Sequence, residues 1–347
     1  MVGHAVTADS DGDGSRKPRA GTSSSPELSA PSFTNGFLDP KNIYSSYAYD
    51  YNALQNLGFC CNPLNNSSGA PPRASIALAT FGNLHTSTTA PTLPDIAGFQ
   101  AIFPYLAYQV TTIPIDGGPA ACVVGTGQPC NNDLETALDT EWATATANSF
   151  GSHLDTARVY VYEDGGQAED MYNQMLTDGF ARIFSTSWDN SEFTGQFAIS
   201  GSTMDTRHAI FNNMLGQGWT LVNSSGDAGA TADCTYNSTT KTYSGTLDVN
   251  YPSSDPDFVG VGGTLLTLFN NGTFSSEVAW TGGATAGSCT QNNGGSTGGC
   301  SQHFSVPAYQ SGSNGTCGTF RSVPDIALNA SSGQLIYFNG GSQGVGG

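Results

Sequence analysis

The sequence predicts an α/β protein, a mostly parallel sheet covered by helices on both faces. Two observations lead there. Short apolar strand-like runs alternate with segments of helical length, the pattern left by crossover units. Several of those runs, such as Ala74–Phe81 (ASIALATF), are nearly continuously apolar, as strands buried on both faces must be.

Taken in order, residues 1–35 are rich in Asp, Gly, Ser and Pro and poor in hydrophobic groups, so they read as a disordered arm or linker. Within it, Asp9-x-Asp11-x-Asp13-Gly14 imitates the start of a calcium loop. Its twelfth position is Ala20, where a bidentate Glu is needed, which argues against calcium there. Residues 36–347 form the globular domain. After the strand at 74–81 come a helix over 92–106 and a strand over 108–115. A second helix starts near Asn132 and runs to about Ser149. Ala157–Tyr162 is a strand, Gln167–Asp178 a helix and Ala181–Trp188 a strand. Thr203–Leu215 is a helix and Trp219–Asn223 a strand. Two further runs, Phe258–Val261 and Leu335–Phe338, are expected to complete the sheet. Residues 231–250 and 281–320 carry no helical period and read as loops and short strands.

Composition narrows the function. Ten Lys and Arg against 28 Asp and Glu give a formal charge of −18, which repels nucleic-acid phosphates and anionic membrane surfaces. Self-repulsion eases as carboxylates protonate, which suits acid conditions. Only 11% of residues are charged and eight are cysteines, a balance that suits a secreted protein. No C-x-x-C pair exists, so zinc is poorly supported. Cys122/Cys130 and Cys289/Cys300 are the local disulfide candidates, and Cys60 and Cys61 are expected to bond elsewhere than to each other. No apolar stretch is long enough for a membrane span. Residues 1–25 lack the apolar stretch of a signal peptide, so any such signal is expected outside this chain.

The helix from Asn132 carries Glu135 and Asp139, four residues apart and therefore on one face. Leu134, Ala137, Leu138 and Trp142 crowd them. Neighbouring carboxyls in a partly buried setting resist joint ionisation and share a proton, which makes an acid/base group. Taken alone, the pair is more often an ordinary solvated acidic helix start, and the case for chemistry comes from the rest of the chain.

Further segments line up with the pair. They are Ser224-Ser225-Gly226-Asp227-Ala228-Gly229-Ala230; Tyr251-Pro252 through Val259-Gly260-Val261-Gly262-Gly263-Thr264 with Glu277-Val278-Ala279-Trp280; and Arg321-Ser322-Val323-Pro324-Asp325 through Ala330, closing on Gly344-Val345-Gly346-Gly347. Ser185-Thr186-Ser187-Trp188 with Glu192, and residues 304–310 (FSVPAYQ), belong to the same series. In this order and spacing, from about residue 36 to the end, the chain resembles the sedolisin family of serine-carboxyl peptidases.

The resemblance implies a subtilisin-like fold and an endopeptidase acting on proteins or peptides at acidic pH. It implies Glu135 as general base, Asp139 as the group that orients it, and Asp227 as oxyanion donor. It also implies a secreted monomer made with its own propeptide, of which no trace is recognisable here. The family's serine lies in a Gly-Thr-Ser segment. By register it is expected two positions beyond Gly347, with the family's calcium site also beyond that residue. This chain is thus expected to be C-terminally incomplete and inactive alone. Asp189 stands where the family usually has glycine. Ser296 and Ser342 each sit in a G-x-S-x-G pattern, a chance match in a chain with 44 glycines.

Three other readings stand beside this one. A histidine-based hydrolase would need one of His4, His85, His153, His208 or His303 in a hydrolase signature, and none is. A glycosidase built on Glu135 and Asp139 fails on geometry, because residues stacked on one helix face do not flank a glycosidic bond. An inactive secreted homologue that binds or supports other molecules is the remaining alternative.

Overall fold

A computed structural model describes residues 38–40, 75–84, 94–103, 109–120, 131–148, 157–193, 198–231, 235–237, 242–244, 246–270, 274–281, 294–312, 317–330 and 333–347. The expected arm at 1–35, the Asp9–Ala20 stretch and the Cys122/Cys130 pair lie outside the described residues.

The strands are β1 (Ser75–Thr80), β2 (Gln109–Ile115), β3 (Arg158–Asp164), β4 (Ile183–Thr186), β5 (Asn190–Ser191), β6 (Thr220–Ser224), β7 (Thr235–Asn237) and β8 (Thr242–Ser244). They continue with β9 (Asn250–Tyr251), β10 (Phe258–Leu268), β11 (Phe274–Ala279), β12 (Gly299–Ser305), β13 (Phe320–Val323), β14 (Ile326–Asn329), β15 (Gln334–Phe338) and β16 (Gly341–Val345). The helices are α1 (Pro94–Ile102), α2 (Asn131–Asn148), α3 (Ala168–Asp178) and α4 (Gly201–Gly216).

Eight strands form the central sheet, in the order β11-β10-β6-β4-β1-β3-β2 with β14 also paired to β10. Every ladder is parallel except β10–β11. Period-two alternation sends β1 to both sides. Ala77 and Ala79 pack with Met171, Met175, Phe211 and Met214 of α3 and α4, while Leu78 packs with Ala137 and Leu138 of α2. Two helix ends carry a clear local signal. Gly179 closes α3 in the left-handed region, its N–H donating to the Met175 carbonyl, and Ser200 caps α4 by accepting from the Thr203 N–H at 3.1 Å.

Two expectations need correction. Leu335–Phe338 does not complete the sheet; it pairs with β16 as a separate antiparallel hairpin and packs over α1 and α2. Ile326–Asn329 joins β10 instead. The reason is burial. Leu335 and Ile336 are fully buried on the helix side of the sheet, a position that apolarity alone does not distinguish from a central strand. The second correction concerns Cys300, which bonds Cys317 rather than Cys289. Antiparallel pairing of β12 with β13 sets Ser322 opposite Cys300 and Phe320 opposite Ser305, and the Cα atoms of Cys300 and Cys317 lie 5.3 Å apart. Among the described residues no helix is long and apolar enough to cross a membrane.

Candidate active site

The site gathers at the carboxyl edge of the sheet, where β1, β4 and β6 end. Ligands collect at this edge in open parallel sheets. The start of α2 is held against the end of β1 by close approach. A Cβ on Gly82 would lie 2.1 Å from the Asn132 carbonyl oxygen, so only glycine lets the helix come this near. The Asn83 N–H donates to Asp133 Oδ1 at 2.9 Å, and the hydroxyls of Thr80 and Thr136 share a 2.5 Å hydrogen bond. The opposite face of α2 is tied to the hairpin. Trp142 Nε1 donates to the Leu335 carbonyl, and Glu141 Oε2 accepts from the Tyr337 N–H. These anchors fix which of the helix's acids face the sheet edge.

Glu135 and Asp139 face that edge, both half-buried. Ser187, one residue past β4, donates its hydroxyl to Asp139 Oδ1 at 2.7 Å and also acts on Glu135. Asp139 Oδ2 is buried without a hydrogen-bond partner. Burial is the main cause raising both carboxyls well above the usual range, and on Glu135 the charges of Asp139, Asp227 and Asp189 add to it. The Ser187 hydroxyl opposes the rise in both.

Asp227 arrives from the neighbouring strand β6, whose Asn223 pairs with Thr186 of β4. Its turn is clamped by residues 294–297. Gly295 donates to the Asp227 carbonyl at 2.8 Å, Thr297 donates to the Gly226 carbonyl at 2.8 Å, and the Ala228 N–H donates to Thr297 Oγ1. The Asp227 carboxyl is raised by the protein packed about it, although the tip is open to solvent, which screens part of that push.

Two neighbours received no role from the sequence. Asp189 accepts a 2.6 Å hydrogen bond from Asn250 Nδ2, and burial pushes its carboxyl up to about 7. Asn250 is brought there by the β5–β9 ladder, which pairs it with Ser191. Gly226 has φ +101°, and a Cβ there would lie 2.0 Å from Asn250 Nδ2, so this turn also requires glycine. The Trp188 ring meets Phe81 edge-on at 5.4 Å.

Other residues singled out in the sequence lie elsewhere in the bonding scheme. Glu192 accepts from Ser301 Oγ and the Gln302 N–H, tying β5 to β12. Ser296 Oγ accepts from the Gly263 N–H, and Ser342 sits within β16. His208, Asp255 and Asp257 are the one described group with metal-ligand spacing, but His208 Nδ1 is 2.9 Å from Asp255 Oδ1, which an ordinary ion pair explains.

No protein-family model matches the chain. It is 32% identical over 182 residues to sedolisin of Pseudomonas sp. (strain 101), covering 51% of this chain and 29% of that protein. It is 33% identical over 195 residues to xanthomonalisin of Xanthomonas sp. (strain T-22), covering 51% of this chain and 23% of that protein. The match therefore spans less than a third of either relative. In fold it is similar to Pseudomonas sedolisin, a serine-carboxyl proteinase solved with pseudo-iodotyrostatin. The TM-score is 0.64 at 23% identity, covering 92% of this chain and 77% of that one. The chain is thus similar in sequence, over half its length, to sedolisin and xanthomonalisin, and it has the fold of Pseudomonas sedolisin.

Proposed function

We propose that this protein is a secreted serine-carboxyl endopeptidase that hydrolyses peptide bonds under acidic conditions. One observation carries the reading: at a single edge of the sheet, Glu135 on α2 feels the charges of both Asp139, one turn on, and Asp227, in the turn after β6. Glu135 as carboxylate takes the proton of a serine hydroxyl while that oxygen bonds to the substrate carbonyl carbon. It returns the proton to the amine as the C–N bond breaks, and water repeats the sequence on the acyl-enzyme. Asp139, held by Ser187, orients Glu135. Asp227, neutral in acid, donates a hydrogen bond to the developing oxyanion, which an ionised carboxylate would repel.

Burial and the charges of Asp139, Asp227 and Asp189 hold the proton on Glu135, and the Ser187 hydroxyl works the other way, favouring its ionised form. The serine is assigned to the Gly-Thr-Ser segment expected after Gly346-Gly347, and a calcium ion to residues beyond it. Asp227 supports this placement, because a Cβ on Gly347 would lie 3.1 Å from its Oδ2. The Cys300–Cys317 bond suits an oxidising compartment.

The test is cleavage of an unfolded protein substrate by the full-length protein between pH 3 and 7, beside Glu135→Gln. Cleavage strongest in acid and lost in the variant supports the proposal. No cleavage by the wild type, or near-normal cleavage by the variant, refutes it.

A further inference from the structure

Asp227 is exposed, so its aim depends on what holds the backbone of its turn. The turn is not stiff by composition. Gly226 and Gly229 stand on either side of Asp227 at φ +101° and +65°, and glycine is the residue freest to change conformation.

Four hydrogen bonds tie the turn to residues 295–297. The Gly226 carbonyl accepts from the Thr297 N–H at 2.8 Å and the Asp227 carbonyl from the Gly295 N–H at 2.8 Å. The Gly229 N–H donates to the Gly295 carbonyl at 2.9 Å, and the Ala228 N–H donates to Thr297 Oγ1 at 3.0 Å. Three of these run backbone to backbone. The fourth ends on a side chain, so Thr297 grips the residue before Asp227 with its N–H and the residue after it with its hydroxyl. Thr297 is 1% exposed, which leaves no bulk water at hand to replace that hydroxyl.

The grip is itself anchored. The Ser296 N–H donates to the Trp280 carbonyl at 3.0 Å, and Ser296 Oγ accepts from the Gly263 N–H of β10 at 2.9 Å. Two residues beyond Thr297 the chain enters β12, which the Cys300–Cys317 bond fastens. Thr297 therefore relays the fixed position of the sheet edge to both peptide units that flank Asp227. An aspartate side chain is short, so where its carboxyl points follows those two peptide planes. An oxyanion donor has to be held within about 0.5 Å of its working position.

We infer that Thr297 is a positioning residue that aims Asp227 at the developing oxyanion through its hydroxyl's hold on the Ala228 N–H. The inference rests on the peptidase reading and deepens it at the oxyanion donor.

The test is steady-state kinetics of the full-length protein on one peptide substrate in acid. Thr297→Val keeps the shape and removes the acceptor. Its kcat is expected to fall about tenfold with KM within about twofold, because a misaimed donor is missed only in the transition state. Thr297→Ser returns the hydroxyl and is expected to recover most of that loss. Combining Thr297→Val with Asp227→Ala separates aim from general support. With the carboxyl gone there is nothing to aim, so the valine is expected to lower kcat no further, whereas a structural role would cost the same factor in both backgrounds. Should Thr297→Val fail to fold, Thr297→Ala against Thr297→Ser makes the same comparison. An unchanged kcat without the hydroxyl, a loss carried by KM, or an equal loss on top of Asp227→Ala overturns the assignment and leaves the peptidase reading standing. No cleavage by the wild type removes both.

Discussion

Ser187 Oγ stands 2.7 Å from Asp139 Oδ1 and donates to it, joining the end of β4 to the middle of α2 across 48 positions of sequence. The bond favours the ionised form of Asp139 against the burial that opposes it, and the same hydroxyl favours ionised Glu135. Removing it therefore raises both carboxyls further. Ser187→Ala is expected to move the acid limb of the pH–rate profile to higher pH, leaving the limb's shape intact. A profile that stays in place or moves to lower pH would show that Ser187 does not tune the pair.

Asp227 is assigned a role in the transition state alone. Asp227→Ala is expected to lower kcat by about 10²–10³ with little change in KM, the pattern of a lost oxyanion donor. Asp227→Asn retains an N–H donor at every pH and is expected to lose less. It should also keep its rate further toward neutrality, where wild-type Asp227 ionises and ceases to donate. Steady-state kinetics at several pH values decides this.

The buried acids make stability pH-dependent in a definite direction. Glu163, which accepts from the Leu84 N–H, is pushed up to about 7 by burial, as is Asp189. Glu141 is raised well above the ordinary range by burial, with Asp95 adding to it. In the unfolded chain such groups ionise near pH 4. Above that pH the unfolded state sheds protons that the native state keeps, so stability falls until the native groups ionise as well. Tm is expected to decline from about pH 4 to pH 8, and Glu163→Gln should flatten the decline. A Tm that rises over this interval would contradict the account.

Arg321 is fully buried and holds several groups at once. It donates to Asp325 at 2.6 and 2.9 Å and to the carbonyls of Ser253 and Phe258, fastening β13 to β10 and the 253 turn. Asp325 in turn accepts from the Gly260 N–H. Arg321→Ala is expected to cost about 3–5 kcal/mol in urea unfolding, because it strands a carboxylate and two carbonyls. Arg321→Lys cannot reproduce the fork and should recover only part of that loss. A loss below about 1 kcal/mol for the alanine variant would mark the pair as a surface-like one.

The sequence by itself determined the class of fold and the spacing of the acids. Alternating strand and helix lengths are local properties, and α2, α3 and α4 fall where that alternation puts them. The four-residue spacing from Glu135 to Asp139 is enough to place both on one helix face. Which acids of α2 turn toward the sheet edge was decided only in the folded chain. Glu141 lies two residues beyond Asp139, yet it faces the β15–β16 hairpin and accepts from Tyr337. The company of Ser187, Asp189 and Asn250 was decided there too, as were the Cys300–Cys317 bond and the place of β14 beside β10. These contacts join positions tens of residues apart, and their partners are chosen by the crossovers and by burial against the sheet. Local pattern carries propensity and facing. It holds no record of which strand ends will stand side by side.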